Sequence, residues 1–172
     1  MLCSTGILQM NFKAGDVIIF NTDGSWWDRF IMKVSKPSTH TAMFIGSNIY
    51  SEAAKHGVVL TKHDFKCAPF RAYRMPKRYQ DNIVTMLEIV EFHTGDKYSV
   101  SQAMLAGILR LFGLAFYVDK LKVDRNWFCS EWTAYLMRFG LQVGMFRNVG
   151  VNSLVPQDIE RAVINDGWQR IK

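Results

Sequence analysis

The stretch that decides the fold covers residues 38–60 and reads STHTAMFIGSNIYSEAAKHGVVL. It holds three apolar segments separated by short turns at Gly46 and Gly57. Segments of this length, rich in β-branched and aromatic residues and bounded by glycine, are typical of antiparallel strands. GDVIIF at 15–20 and FRAYRM at 70–75 have the same character. We therefore predict an antiparallel sheet in the N-terminal half of the chain.

The C-terminal half has helical periodicity instead. We predict helices over 79–95, 99–113, 129–140 and 154–166, with Pro156 in the first turn of the last helix. One further helix is predicted over 23–35, between the first two strands. This segregation of strands and helices predicts an α+β fold, an antiparallel sheet packed against helices. We expect a single domain over residues 1–172, in which residues 1–12 form a flexible N-terminal extension.

Composition limits the classes of function. The chain has 172 residues, 49% of them hydrophobic and 21% charged, which is typical of a folded globular protein. The net charge of +6 comes from scattered basic residues without a block of like charges, so we expect no nucleic-acid partner. The three cysteines, Cys3, Cys67 and Cys129, include no C-x-x-C pair, which argues against a disulfide framework or a zinc site. We predict no cofactor.

Two segments bear on localisation. The N-terminal MLCSTGILQM lacks the charged start and the long apolar run of a signal peptide. The most apolar segment, residues 103–118, is too short to span a bilayer and carries Arg110. We interpret it as a core helix, with a helix on a membrane surface as the alternative. The prediction is a cytoplasmic protein, and peripheral membrane contact is left open.

A candidate site follows from the predicted hairpin. If residues 45–47 form its loop, His40 faces Glu52 across the two strands, close enough for an imidazole to meet a carboxylate. A loop of another length would place Ala53 opposite His40 instead. Cys129 begins a predicted helix, and Trp132 and Leu136 lie on the same side of that helix, so the thiol should point into the domain. A position at a helix start and a nearby histidine both lower the pKa of a thiol.

Each of these residues also has a simpler interpretation. A solitary buried cysteine is usually inert packing, a histidine at the start of a strand is often structural, and Glu52 alone is most often a solvated charge. The functional hypothesis therefore depends on Cys129, His40 and Glu52 taken together.

The segments GDVIIF, STHTAMFIG, IYSEAAKHGVV and FCSEWTAYLM, in this order, resemble the circularly permuted branch of the papain-like NlpC superfamily. The resemblance covers about residues 14–141. It implies a permuted papain-like topology, in which histidine and acid precede the cysteine, and the activity of a cysteine amidase or hydrolase. Two positions depart from the family pattern, since Thr39 replaces the commoner serine before His40 and Thr41 stands where valine is usual.

The resemblance implies a role for each site residue. Cys129 would be the nucleophile, His40 the general base and acid, and Glu52 the group that orients His40. His56 is the rival third member. Asp16 is interpreted as structural, and Tyr98 is expected to pack near the substrate groove.

The chemistry implied is thiolate attack on an acyl carbon through a thioester intermediate. The substrate would be an amide in a peptide or cell-wall stem, or a lipid ester, and the thioester would pass to water or to another acceptor. The alternative is a non-catalytic binding or structural protein, of a phage or virion type, that retains this fold. A bacterial or phage origin is the hypothesis that goes with either function. The sequence leaves the oligomeric state open.

Overall fold

The fold is taken from a computed structural model that describes residues 11–21, 38–62, 69–99, 101, 104, 108, 126–146 and 151–172. Within these residues it is α+β, as predicted. Six strands form one antiparallel sheet in the order β4-β3-β2-β1-β5-β6. The strands are β1 (Val17–Asn21), β2 (Ser38–Gly46), β3 (Ile49–Ala54), β4 (Gly57–Lys62), β5 (Phe70–Arg74) and β6 (Gln169–Arg170). Among the described ranges, the α-helices with defined bounds are α1 (Ile83–His93), α2 (Cys129–Tyr135) and α3 (Pro156–Asn165).

Most predicted elements lie where the sequence placed them. A 3₁₀ turn, Lys77–Asn82, leads into α1, and a π-helical turn, Leu136–Gly140, extends α2 to the predicted glycine. The short strand β6 was not predicted, because two exposed residues carry no hydrophobic pattern. The helix expected over 23–35 lies outside the described residues. So does most of the helix expected over 99–113, of which only positions 99, 101, 104 and 108 are described, the last three with helical backbone.

The two faces of the sheet have different partners. One face presents Ile19 and Met43 to the helices, and Trp132 of α2 is fully buried against it. The opposite face carries a second apolar cluster, where Phe12 stacks on Phe44 with ring centroids 5.1 Å apart. Phe12 therefore packs on the sheet although it falls within the expected N-terminal extension; residues 1–10 lie outside the description.

The β2–β3 hairpin differs from the predicted one. Its turn is a tight pair, Ser47 and Asn48, both with positive φ (51° and 59°), as in the type I′ turns that suit hairpins. Phe44 pairs with Tyr50, so the predicted pairing of Phe44 with Asn48 is wrong. The predicted loop assumed a regular ladder, whereas the register shifts between Phe44 and Gly46.

This irregularity decides which residues share a face. A two-residue turn with a regular ladder would have put His40 and Glu52 on opposite faces, because side chains alternate along a strand. Ile45, the extra residue of β2 between Phe44 and Gly46, shifts the ladder by one position and returns His40 and Glu52 to the same face. Continuing the register from the Met43–Ser51 pair places Ala42 opposite Glu52, so His40 lies diagonally across from Glu52. Diagonal neighbours on one face remain within reach of long side chains.

Candidate active site

Helix α2 is held against the sheet by two buried polar contacts. The indole N–H of Trp132 donates to Ser51 Oγ of β3 at 3.0 Å. At the next position of the helix, the hydroxyl of Thr133 is hydrogen-bonded to that of Thr41 of β2 at 3.0 Å. Each contact ties one residue of α2 to a different strand of the hairpin. Together they hold the N-terminal part of α2 against the β2–β3 hairpin.

Cys129 is that first residue of α2, and its thiol is free and buried. The pKa of this thiol responds to the charge of His40 and to hydrogen bonding with its imidazole, and also to backbone hydrogen bonding at Thr41 and Ser130. Burial by itself raises the pKa of the Cys129 thiol. The positive charge of His40 and these hydrogen bonds outweigh burial, so the net pKa of the thiol is lowered.

The pKa of His40 moves in the opposite direction. Burial by itself lowers it, but the charge of the Cys129 thiolate and its hydrogen bond, followed by those of Glu52, raise the pKa of His40 to about 10. A raised imidazole pKa and a lowered thiol pKa together favour a thiolate–imidazolium pair at neutral pH. Such a pair combines an activated nucleophile with a proton donor.

Glu52 completes a chain of hydrogen bonds. His40 Nε2 lies 2.5 Å from Glu52 Oε2, and the other oxygen, Oε1, accepts a 2.6 Å hydrogen bond from the hydroxyl of Thr61 on β4. The side chains of His40 and Glu52 are 28% and 12% exposed, so water screens their ion pair only in part. The three residues singled out from the sequence are therefore brought together, although their pairing in the hairpin is diagonal rather than direct.

Tyr98 lies beside this chain of residues. The backbone of its segment pairs with that of Trp127, whose N–H donates to Lys97 O at 2.9 Å. Burial, and then the charge of the Cys129 thiolate, raise the pKa of Tyr98, so its phenol keeps its proton. The expectation that Tyr98 packs near a substrate groove stays a prediction.

Two other residues considered from the sequence lie elsewhere. His56 is exposed in the turn between β3 and β4. Asp16 is fully buried in the turn before β1, where its carboxylate accepts 2.8 Å hydrogen bonds from Arg74 Nε and from the backbone N–H of Lys13. These contacts are those of a residue that stabilises a turn.

The sequence interpretation missed a polar cluster at the start of β2. Glu160 of α3 accepts hydrogen bonds from Arg71 Nη2 at 2.8 Å, from the Tyr73 hydroxyl at 2.6 Å and from Ser38 Oγ at 3.0 Å. The β1–β2 register shifts at this point, where Asn21 pairs with Ser38. Bulges of this kind bend a strand and redirect its side chains. The cluster anchors β2 two residues before His40, and only the fold brings its members together.

Comparison of the chain with models of known protein families gives no match, and comparison with curated protein sequences gives none either. Among the described residues, no group of three or more His, Cys, Asp or Glu side chains is arranged to hold a metal ion. The helices of the described ranges include none with both the length and the apolar character needed to cross a bilayer.

Proposed function

We propose that the protein is a cysteine hydrolase or acyltransferase with a Cys129–His40–Glu52 triad on a permuted papain-like fold. The observation that carries the proposal is the 2.5 Å contact between His40 Nε2 and Glu52 Oε2, beside a buried Cys129 thiol whose pKa the same imidazole lowers. The order of the chain supports the permuted topology, since the strands with His40 and Glu52 precede the helix with Cys129.

In the proposed reaction, the Cys129 thiolate attacks the acyl carbon of an amide or ester, and the electron pair of the carbonyl moves to its oxygen. When the tetrahedral intermediate collapses, the bond to the leaving group breaks, and the His40 imidazolium donates its proton to that group. A thioester on Cys129 remains. His40, now neutral, accepts a proton from water or another acceptor, which attacks the thioester and releases Cys129.

Glu52 and Tyr98 have supporting roles in this proposal. The Glu52 carboxylate holds the imidazole in one orientation and stabilises the imidazolium, as the acid of a triad does. The phenol of Tyr98, which burial and then the charge of the Cys129 thiolate keep protonated, would be a donor for the developing oxyanion. The substrate class that fits this chemistry is an amide in a peptide or cell-wall stem, or a lipid ester.

Selective alkylation tests the proposal. At pH 7, iodoacetamide should modify Cys129 ahead of Cys3 and Cys67, as read by peptide mass spectrometry. An ordinary thiol with a pKa of about 8.5 is only ~3% ionised at this pH, so His40→Ala should slow modification of Cys129 by at least about tenfold. His56→Ala is the matched control, and it should leave the rate unchanged because His56 lies in an exposed turn.

Acyl transfer to the sulfur is the second part of the test. Incubation with p-nitrophenyl acetate should place an acetyl group on Cys129 and release p-nitrophenol, and Cys129→Ser should abolish both signals. Equal, slow modification of all three cysteines, with no acetylation of Cys129, would instead indicate the binding or structural alternative.

A further inference from the structure

The candidate triad has a fourth residue attached to it. Thr61 lies on β4, the outer neighbour of β3, and its hydroxyl donates a 2.6 Å hydrogen bond to Glu52 Oε1. The ladder explains the contact: Glu52 pairs with Val59 and Tyr50 pairs with Thr61. Thr61 is therefore on the same face of the sheet as Glu52, diagonally across from it.

The two oxygens of Glu52 have different partners. Oε2 meets His40 Nε2 at 2.5 Å, and Oε1 meets the Thr61 hydroxyl. A carboxylate bonded through one oxygen is free to rotate about its terminal torsion, which has broad, shallow preferences. A second hydrogen bond, from the neighbouring strand, restrains that rotation and helps to hold Oε2 toward the imidazole.

We propose that Thr61 is a positioning residue of this site, which holds the Glu52 carboxylate in the orientation that stabilises the His40 imidazolium. The inference rests on the proposed function, since it extends the same chain of residues. Thr61 acts through Glu52, and its removal should reduce the preference of His40 for the protonated form without removing any charge.

The surroundings of Glu52 make this orientation matter. Its side chain is 12% exposed, so bulk water competes little for its oxygens. The neighbouring Tyr50 is buried and belongs to the apolar cluster of the same face. In such surroundings a hydrogen bond to a charged group has a larger effect than in water. Loss of the Thr61 hydroxyl would leave Oε1 of Glu52 without this donor.

The test follows the imidazole of His40 by NMR. The ring signals of His40 are assigned by their absence in His40→Ala, and the pH at which the ring is half protonated is measured for wild type, Thr61→Val and Thr61→Ser. Thr61→Val keeps the shape and the β propensity of the side chain but removes the donor. We expect its midpoint to lie about 0.5–1 pH unit below that of the wild type, and Thr61→Ser to restore the wild-type value.

Thr94→Val is the matched control. The Thr94 hydroxyl donates to Val90 O at 2.7 Å, within the end of α1, and does not touch the site. This variant should leave the midpoint of His40 unchanged. If Thr61→Val unfolds, as judged by circular dichroism, the comparison is made with Thr61→Ala, which also lacks the hydroxyl.

The outcomes separate the inference from the proposed function. A wild-type midpoint near the ordinary value of about 6.5 would overturn the thiolate–imidazolium pair and the proposed function with it. A raised wild-type midpoint that Thr61→Val leaves unchanged would overturn only the role of Thr61. A His40 midpoint that rises in Thr61→Val would also overturn the role of Thr61. It would mean that the hydrogen bond from the hydroxyl weakens the interaction of the Glu52 carboxylate with the imidazolium instead of orienting the carboxylate.

Discussion

Replacing Glu52 by glutamine should lower the pKa of His40 by about 1–2 pH units. A glutamine side chain has the size of glutamate and retains an oxygen that accepts a hydrogen bond, so the change mainly removes one negative charge beside the imidazolium. In wild type the pKa of His40 is about 10, and the hydrogen bond and the charge of Glu52 are among the causes that raise it.

The magnitude follows from the contact itself. Unit charges about 4 Å apart interact by roughly 4 kcal/mol at an effective dielectric constant of ~20. The side chain of His40 is 28% exposed, so solvent reduces this value, and the retained hydrogen bond reduces the loss further. About 1–3 kcal/mol remains, which at about 1.36 kcal/mol per pH unit corresponds to about 1–2 units. The imidazole of Glu52→Gln should then be half protonated at about pH 8–9.

The assay is the pH titration of the His40 ring by NMR, with Glu88→Gln as the control. Glu88 is a residue of α1 that does not belong to the site, so its replacement should leave the midpoint of His40 in place. Equal midpoints for wild type and Glu52→Gln would refute the reasoning, because they would mean that the carboxylate contributes nothing to the imidazolium.

The same pKa predicts how stability depends on pH. The pKa of His40 is raised in the folded state, so the stabilisation that it contributes is complete below about pH 6.5 and is lost as the pH rises through about 10. In Glu52→Gln this loss should occur at lower pH. Urea unfolding measured between about pH 6 and about pH 10.5 would reveal the difference, and superimposable pH profiles would contradict it.

Two further predictions concern the scaffold. Gly57→Ala would place a Cβ 2.2 Å from Asp96 O at a positive φ, so it should lower the free energy of unfolding by about 2–4 kcal/mol, as measured in urea. Gly46→Ala is the control: its φ is also positive but the space around it is open, so it should cost only about 1–2 kcal/mol. Equal losses in the two variants would contradict the close approach at Gly57. Glu160→Gln leaves Arg71 without its carboxylate and should cost about 2–4 kcal/mol at pH 7. Since the pKa of folded Glu160 is lowered, this difference should disappear as the pH falls through that pKa, and a difference that persists in acid would argue against the ion pair.

Much of the candidate site could be predicted because its residues stand at the ends of predictable elements. Cys129 begins a helix whose apolar side was evident, and His40 lies near the start of a strand with a clear hydrophobic pattern. Glu52 could be connected to His40 because alternation along two strands restricts which side chains share a face. The exact pairing could not be predicted, since a residue inserted near Ile45 leaves no mark in hydrophobic periodicity.

Thr61 and the cluster around Glu160 could not have been found in this way. The partners of Glu160, Arg71 and Ser38, are separated from it by 89 and 122 positions along the chain, and nothing local in the sequence connects them. The hydrogen bond from Thr61 depends on the register of β3 against β4, and many alternating sequences are compatible with several registers.

The sequence by itself determined the α+β class, the positions of most described strands and helices, and the residue types from which a thiol site is built, because periodicity and turn residues act over a few positions. Only the tertiary structure decided that the thiol, the imidazole and the carboxylate meet, and that a threonine joins them. Those contacts depend on strand register, on a local irregularity in the ladder and on the packing of α2 against β2 and β3, and each of these is determined by interactions between distant parts of the chain.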